Sequence, residues 1–261
     1  MNLQEENIWR VINDKIIRIR ADRNENDIIE GTLAEILNDY PSSLIMRSGD
    51  VIEDRNKITP NRTIEELPKE IWIDKDWSDC LITRERFEDN PVVGELPVIN
   101  KTIEFIDEDF ENGSDVLILD DGSHEVADLI WFQNNGKVVH FFHCKASSSG
   151  NAGCRKNDCD VLFTQAMRSI HWVSSISLID RLMGRIDGNS RLINTNEETW
   201  AALSNNYQIN DWKFNIVLPQ PGFRISQVSD KERQNNNVYE LAIPMYERIL
   251  GSLASLEIWG T

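Results

Sequence analysis

The chain has 261 residues, enough to bury a hydrophobic interior in one large domain or in a core with a flanking domain, without disulfide or metal staples. Its formal net charge of −17 argues against a protein that coats nucleic acid through its general surface, because such binding runs on lysine and arginine contacts to phosphate. Four cysteines, no N-terminal apolar signal segment and no run of about 18 apolar residues point away from secretion and membrane spanning and toward a reduced, cytoplasmic protein.

In chain order, the first hundred residues mix short apolar runs (15–19, 43–46 and 70–73) with polar, proline-bearing connections, which predicts several short strands with one or two helices. The tracts 55–63, with Pro60, and 86–97, with Pro91 and Pro97, read as loops, and the second sets the expected boundary between an acidic α+β region over 1–97 and a domain over 98–261. From Asp120 the pattern sharpens. Asp121-Gly122 is a turn, 126–132 a strand, Asn134-Asn135-Gly136 a hairpin turn, and 137–145 a second strand. A Ser-, Gly- and Asn-rich loop over 146–158 precedes 160–186, whose apolar residues at helical spacing predict one long helix capped by Asp158 or Asp160. A strand over 213–218, a helix over 238–252 and a terminal strand over 256–259 complete an α/β (α+β) chain with a central mixed sheet flanked by helices.

Charge is unevenly placed along this frame. Between residues 136 and 191 eight Lys and Arg face four Asp, a local +4, so the rest of the chain carries −21. A basic segment in an acidic protein suits a focused site on a polyanion, and ordinary fluctuation along the chain is the plain alternative.

If the hairpin closes through a two-residue loop at Asn135-Gly136, Asn134 pairs with Lys137 and Asp128 lies across from His143. Side chains alternate along a strand, so His143 and Lys145 share the face to which Asp128 points. The plain alternative is a diagonal Asp128–Lys145 salt bridge with His143 as a satisfied core histidine. Strands this apolar make an unpaired aspartate and lysine costly, by roughly several kcal/mol, and a metal with a phosphate would compensate them. Glu125, and behind it Asp121 and Glu104, are further candidate carboxylates. Arg155 and Lys156, in the loop before the helix, are candidate phosphate contacts. Gln165, Arg168/Ser169 and Trp172 fall along one helix face, with Trp172 more naturally core than a stacking platform. A zinc set drawn from His140, His143, Cys144, Cys154, Cys159 and His171 fits no ligand template, and Cys144 should point away from His143. No Gly-x-Ser-x-Gly elbow, phosphate-binding loop or dinucleotide fingerprint occurs.

An aspartate on one strand, a hairpin, an acid-x-lysine triplet on the next strand and a following helix resemble the PD-(D/E)XK nuclease superfamily. Here the residues are Asp128, then His143-Cys144-Lys145, then a helix with Gln165, and the match runs over 125–172 with weaker similarity at 214–221 and 239–259. The resemblance is closest to variant modules of bacterial anti-phage defence and helicase-associated proteins, in which a histidine takes the acid position. It implies a restriction-endonuclease-like core and Asp128, His143, Lys145 and Gln165 as catalytic residues. It further implies Mg2+ or Mn2+ held by Asp128, His143 and Glu125, and nucleic acid, DNA ahead of RNA, gripped by Arg155, Lys156 and Arg168. A separate helicase or ATPase, another defence protein or a second copy of the chain is the implied partner, with no membrane involved. His143 in the acid position keeps open a second reading, a catalytically silent nuclease fold that serves as a scaffold or sensor in a defence complex.

Overall fold

In the computed structural model the described residues are 67–261, apart from 123–124, 154, 174, 187, 189 and 224–236, together with the backbone of five short strands before residue 60. The side chains of 156–157 and 237–241 are outside this description. By its contacts the chain divides into two compact units, Met1–Thr63 and Ile64–Thr261. In the first, β1 (Ile16–Arg20) and β2 (Ile28–Thr32) form an antiparallel pair, and β3 (Leu44–Ile45), β4 (Val51–Glu53) and β5 (Asn56–Ile58) form a small antiparallel sheet.

The second unit is built on a seven-stranded mixed sheet. Its strands are β6 (Trp72–Asp74), β7 (Val116–Leu119), β8 (Leu129–Gln133), β9 (Val138–Phe142), β10 (Arg191–Ile193), β11 (Lys213–Pro219) and β12 (Ala254–Gly260), in spatial order β10-β7-β8-β9-β11-β12-β6. The first four of that order are antiparallel neighbours, and β9, β11, β12 and β6 run parallel. Central strands such as Val-Leu-Ile-Leu and Leu-Ile-Trp-Phe are buried on both faces, which is why they read as continuous apolar runs rather than alternating ones. The stretch 64–97, grouped by the sequence reading with the N-terminal region, belongs by contact to this unit and gives the sheet its edge strand β6.

Helix α1 (Val98–Asp107) covers one face, with Val98, Ile99, Thr102, Ile103, Phe105 and Ile106 buried in a stripe that repeats every three to four residues. The other face is covered by α2 (Lys156–Ser169), α3 (Leu178–Ile186), α4 (Glu197–Asn206) and α5 (Asn237–Gly251). The single helix expected over 160–186 is two. After α2 a 3-10 turn, Ile170–Trp172, leads into Val173 in extended conformation, and the chain restarts at Leu178, whose N–H donates to Ser175 O at 3.2 Å. A β-branched residue followed by serines weakens helix propagation there. Nor does an aspartate cap α2: Arg155 occupies the N-cap without a side-chain bond, Asp158 lies in the first turn, and its carboxylate accepts the Ser148 N–H at 3.1 Å.

Among the described residues no helix is long and apolar enough to cross a membrane.

Candidate metal centre

Strand direction assembles the site. β7 and β9 run the same way and β8 runs against both, so the end of β7, the start of β8 and the end of β9 meet at one edge of the sheet. The carboxyl ends of β6, β12 and β11 lie at that edge too, the usual place for ligands in sheets of this kind. The hairpin register is the one expected: Leu129 pairs with Phe142 and Gln133 with Val138, and Lys137 closes the turn with φ 50. Carried one residue beyond the paired strands, this register sets Asp128 across from His143.

The β7–β8 connection carries the carboxylates. Asp120, fully buried, anchors it by accepting the Val126 N–H at 2.8 Å, and its charge is met by Arg185 Nε at 2.5 Å and by the Ser190 hydroxyl. The Asp120 N–H donates to Asp128 O at 2.9 Å, and the Gly122 N–H donates to Glu125 Oε2 at 3.0 Å. So tied, the loop brings one carboxylate oxygen from each of Asp121, Glu125 and Asp128 within 4.8 Å of one another. Asp121 is exposed, Glu125 half-buried and Asp128 only 4% exposed, its Oδ2 accepting the Cys144 N–H at 2.7 Å.

The electrostatics of this group are adverse without a cation. Burial first, then the charge of Glu125, pushes the Asp128 carboxyl well above the usual carboxylate range. Burial also raises Glu125 and Asp121, with the charges of neighbouring acids adding to it. Three carboxylates present hard oxygen donors only, a set that could hold a hard divalent cation.

His143 is 2% exposed and lies outside that group. Its Nε2 meets the Ser169 hydroxyl, and that hydroxyl lies 3.2 Å from Val126 O, so β9 and α2 are tied to the segment carrying Glu125. Burial pulls the imidazole down to about 3, and Nδ1 has no hydrogen-bond partner among the described residues. Lys145 is not paired with Asp128. Its Nζ lies 2.7 Å from Glu85 Oε2, an oxygen that also accepts the Ala146 N–H at 3.0 Å. Glu85 acts electrostatically on both Asp121 and Asp128.

The remaining candidates separate. Gln165, one turn before Ser169 on α2, leaves a buried Oε1 without a partner among the described residues. Arg168 is exposed on the same helix, whereas Arg155 is folded into its loop, donating to Ser147 Oγ at 3.2 Å and Asn151 O at 2.8 Å. Lys156 lies in the first turn of α2, its side chain outside the described residues. Trp172 packs on the core, and Glu104 is ion-paired with Lys101 at 3.0 Å. The cysteine-histidine set is not brought together: Cys144 donates to Thr102 Oγ1 at 3.6 Å under α1, while Cys159 is buried in the core on the opposite face. Cys154 lies outside the described residues.

The sequence reading passed over Asp120, Arg185 and Glu85. The first two are joined across 65 residues, and Glu85, which precedes the tract 86–97 read as loop, reaches Lys145. No local period signals either contact.

The chain matches no family model, no curated protein and no solved structure.

Proposed function

We propose that the Ile64–Thr261 unit is a metal-dependent nuclease of the PD-(D/E)XK type that hydrolyses phosphodiester bonds, in DNA ahead of RNA. The observation that carries this reading is the convergence of Asp121, Glu125 and Asp128 within 4.8 Å at the edge of the sheet where β9 delivers Lys145. In this reading the strand–hairpin–strand followed by α2 is the restriction-endonuclease-like core. The second carboxylate missing from β9 comes from the loop before β8 instead.

Asp128, Glu125 and Asp121 would hold the divalent ion, which when bound polarises a phosphate and lowers the pKa of a coordinated water. Asp128 is aimed by the Cys144 N–H, and Glu125 by the Gly122 N–H. His143 contributes as a strut rather than a ligand, fixing the Val126 segment through Ser169. Lys145 supplies a positive charge against the negative charge that develops on the phosphate in the transition state. Gln165 offers from α2 an amide oxygen with no partner among the described residues.

The engagement of His143 by Ser169 and of Lys145 by Glu85 favours a second reading, a silent nuclease fold that binds a partner or nucleic acid. Incubating the full chain with supercoiled plasmid and with single-stranded DNA in Mg2+, in Mn2+ and in chelator separates the two. The nuclease reading expects metal-dependent cutting that Asp128→Ala and Lys145→Ala each reduce at least 100-fold, on the order of a lost electrostatic catalytic contact. Cutting that survives in both folded variants would sink it, and no cutting in any metal would favour the silent fold.

A further inference from the structure

We infer that Glu85 is a positioning residue that holds the Lys145 ammonium away from the carboxylates of Asp121, Glu125 and Asp128, so that these stay available to a divalent cation. The inference rests on the metal-site reading above and adds the element that keeps that site from being neutralised from within.

Lys145 is a cation of this sheet edge, and lysine is a point charge on a long flexible stem that goes where negative charge is uncompensated. Its main chain is fixed, the N–H donating to Pro219 O at 3.0 Å, so only the side-chain torsions decide where the ammonium sits. Three carboxylates with adverse mutual charge lie at the same edge and would attract it. Glu85 takes it instead, at 2.7 Å, with the two side chains 28% and 29% exposed.

The Glu85 carboxylate is fixed rather than mobile. The oxygen that binds Lys145 also accepts the N–H of Ala146, the next residue in the chain, at 3.0 Å. The Glu85 main chain is tied to the first turn of α1, where the Ile99 N–H donates to Glu85 O at 3.1 Å and the Val98 N–H to Arg84 O at 2.8 Å. The arrangement is therefore pre-set by α1 and by the end of β9. Among the described residues, Nδ1 of His143, a residue buried beside the Ser169 hydroxyl and across from Asp128, has no hydrogen-bond partner. Arg86, exposed and close enough to Asp121 to act on its charge, and Arg185, which acts on Glu125, are further cations here, so the test must single out Lys145.

Mn2+ titrated into the full chain without nucleic acid, followed by calorimetry or by the resonance of free Mn2+, reads this directly. Glu85→Gln keeps the acceptor for Ala146 and loses the charge, and should weaken Mn2+ binding at least tenfold. Lys145→Ala should bind Mn2+ at least as tightly as wild type, and the double variant should return to within threefold of wild type. Wild-type affinity in Glu85→Gln overturns the inference alone, and so does a double variant as weak as Glu85→Gln, since Glu85 would then act directly on the ion. Absence of saturable Mn2+ binding in the wild type sinks the metal-site reading and this inference with it. Should Glu85→Gln fail to fold, Glu85→Asp carries the test: a loss of affinity reversed by Lys145→Ala supports the inference, and a loss not reversed, or no loss, overturns it.

Discussion

Asp128 carries the most deeply buried charge of the centre, and its energetics follow from that. Its carboxyl is pushed up by burial and by Glu125, so in the metal-free protein the stabilising form is the protonated one. The sign is that of a raised acid: the contribution is fully present below the ordinary carboxylate value of 3.8 and is lost as pH rises through the higher folded value. Ionising Asp128 in the folded protein therefore costs stability, and a bound cation recovers it. Asp128→Asn keeps an oxygen for the Cys144 N–H and removes the charge. We expect the metal-free variant to be more stable than wild type, by about 1 kcal/mol, the scale of relieving one strained functional residue. Saturating Mn2+, which stabilises whatever it binds by mass action, should raise the melting temperature of wild type and leave the variant unmoved. Scanning calorimetry at pH 7 with and without Mn2+ checks both, and a less stable variant that still responds to Mn2+ would contradict the assignment.

At the scale of elements, the sheet also holds histidine on its other face. His140 of β9 stacks on Trp131 of β8 at 4.7 Å between ring centroids, and its Nδ1 lies 3.3 Å from Asn215 Nδ2 of β11, an amide that also donates to Glu257 of β12 at 2.8 Å. Burial pulls His140 down to about 4 and His143 down to about 3, below the ordinary 6.5. For a base with a lowered folded pKa, the unfolded chain binds the proton first, so stability is present above about 6.5 and is lost as pH falls toward 4. Each histidine contributes a slope of up to about 1.4 kcal/mol per pH unit in that window. His140→Phe, which keeps the aromatic stack, should remove one proton's share of the slope in urea melts between pH 6.5 and 4.5, and an unchanged slope would mean that His140 does not resist protonation. This strand pair was also the most legible part of the sequence, because Asn135-Gly136 is a local signal that fixes a register, and the register carries Asp128 to His143. α1 and β7 were passed over although each carries a local mark, a buried stripe repeating every three to four residues in α1 and the apolar run Val-Leu-Ile-Leu in β7. In the candidate site, the facing of Asp128 and His143 was legible from the hairpin, whereas Glu85 lies outside every element and motif read from the sequence. His143 was legible as a position but not as a partner of Ser169, since a strand-to-helix contact has no spacing rule.

At the scale of the whole chain, an acidic sequence carries one locally basic segment, and this sets how it can meet a polyanion. With −17 overall and +4 between residues 136 and 191, only a few cations can touch phosphate without bringing carboxylates with them. Four are the candidate phosphate contacts: Lys145, Arg155, Lys156 and Arg168. Each phosphate neutralised releases counterions and steepens the salt dependence of binding by about 0.9 on a log–log scale, so a footprint of four or fewer contacts predicts a slope no steeper than about −4. Fluorescence anisotropy of a labelled duplex in Ca2+, between 50 and 200 mM salt, would measure it, those concentrations being on the order of the range where such slopes are read. Arg168→Ala, exposed on α2, should flatten the slope by about 1, whereas Lys213→Ala, at the start of β11 and so at the opposite edge of the sheet, should leave it unchanged. A slope near −8 would mean that a wide surface engages the duplex, which the acidic remainder argues against on charge alone. No measurable binding would remove nucleic acid as the ligand and leave the basic segment to an acidic protein partner. A shallow slope that responds to Arg168 but not to Lys213 is what a single focused site in an otherwise repelling surface requires.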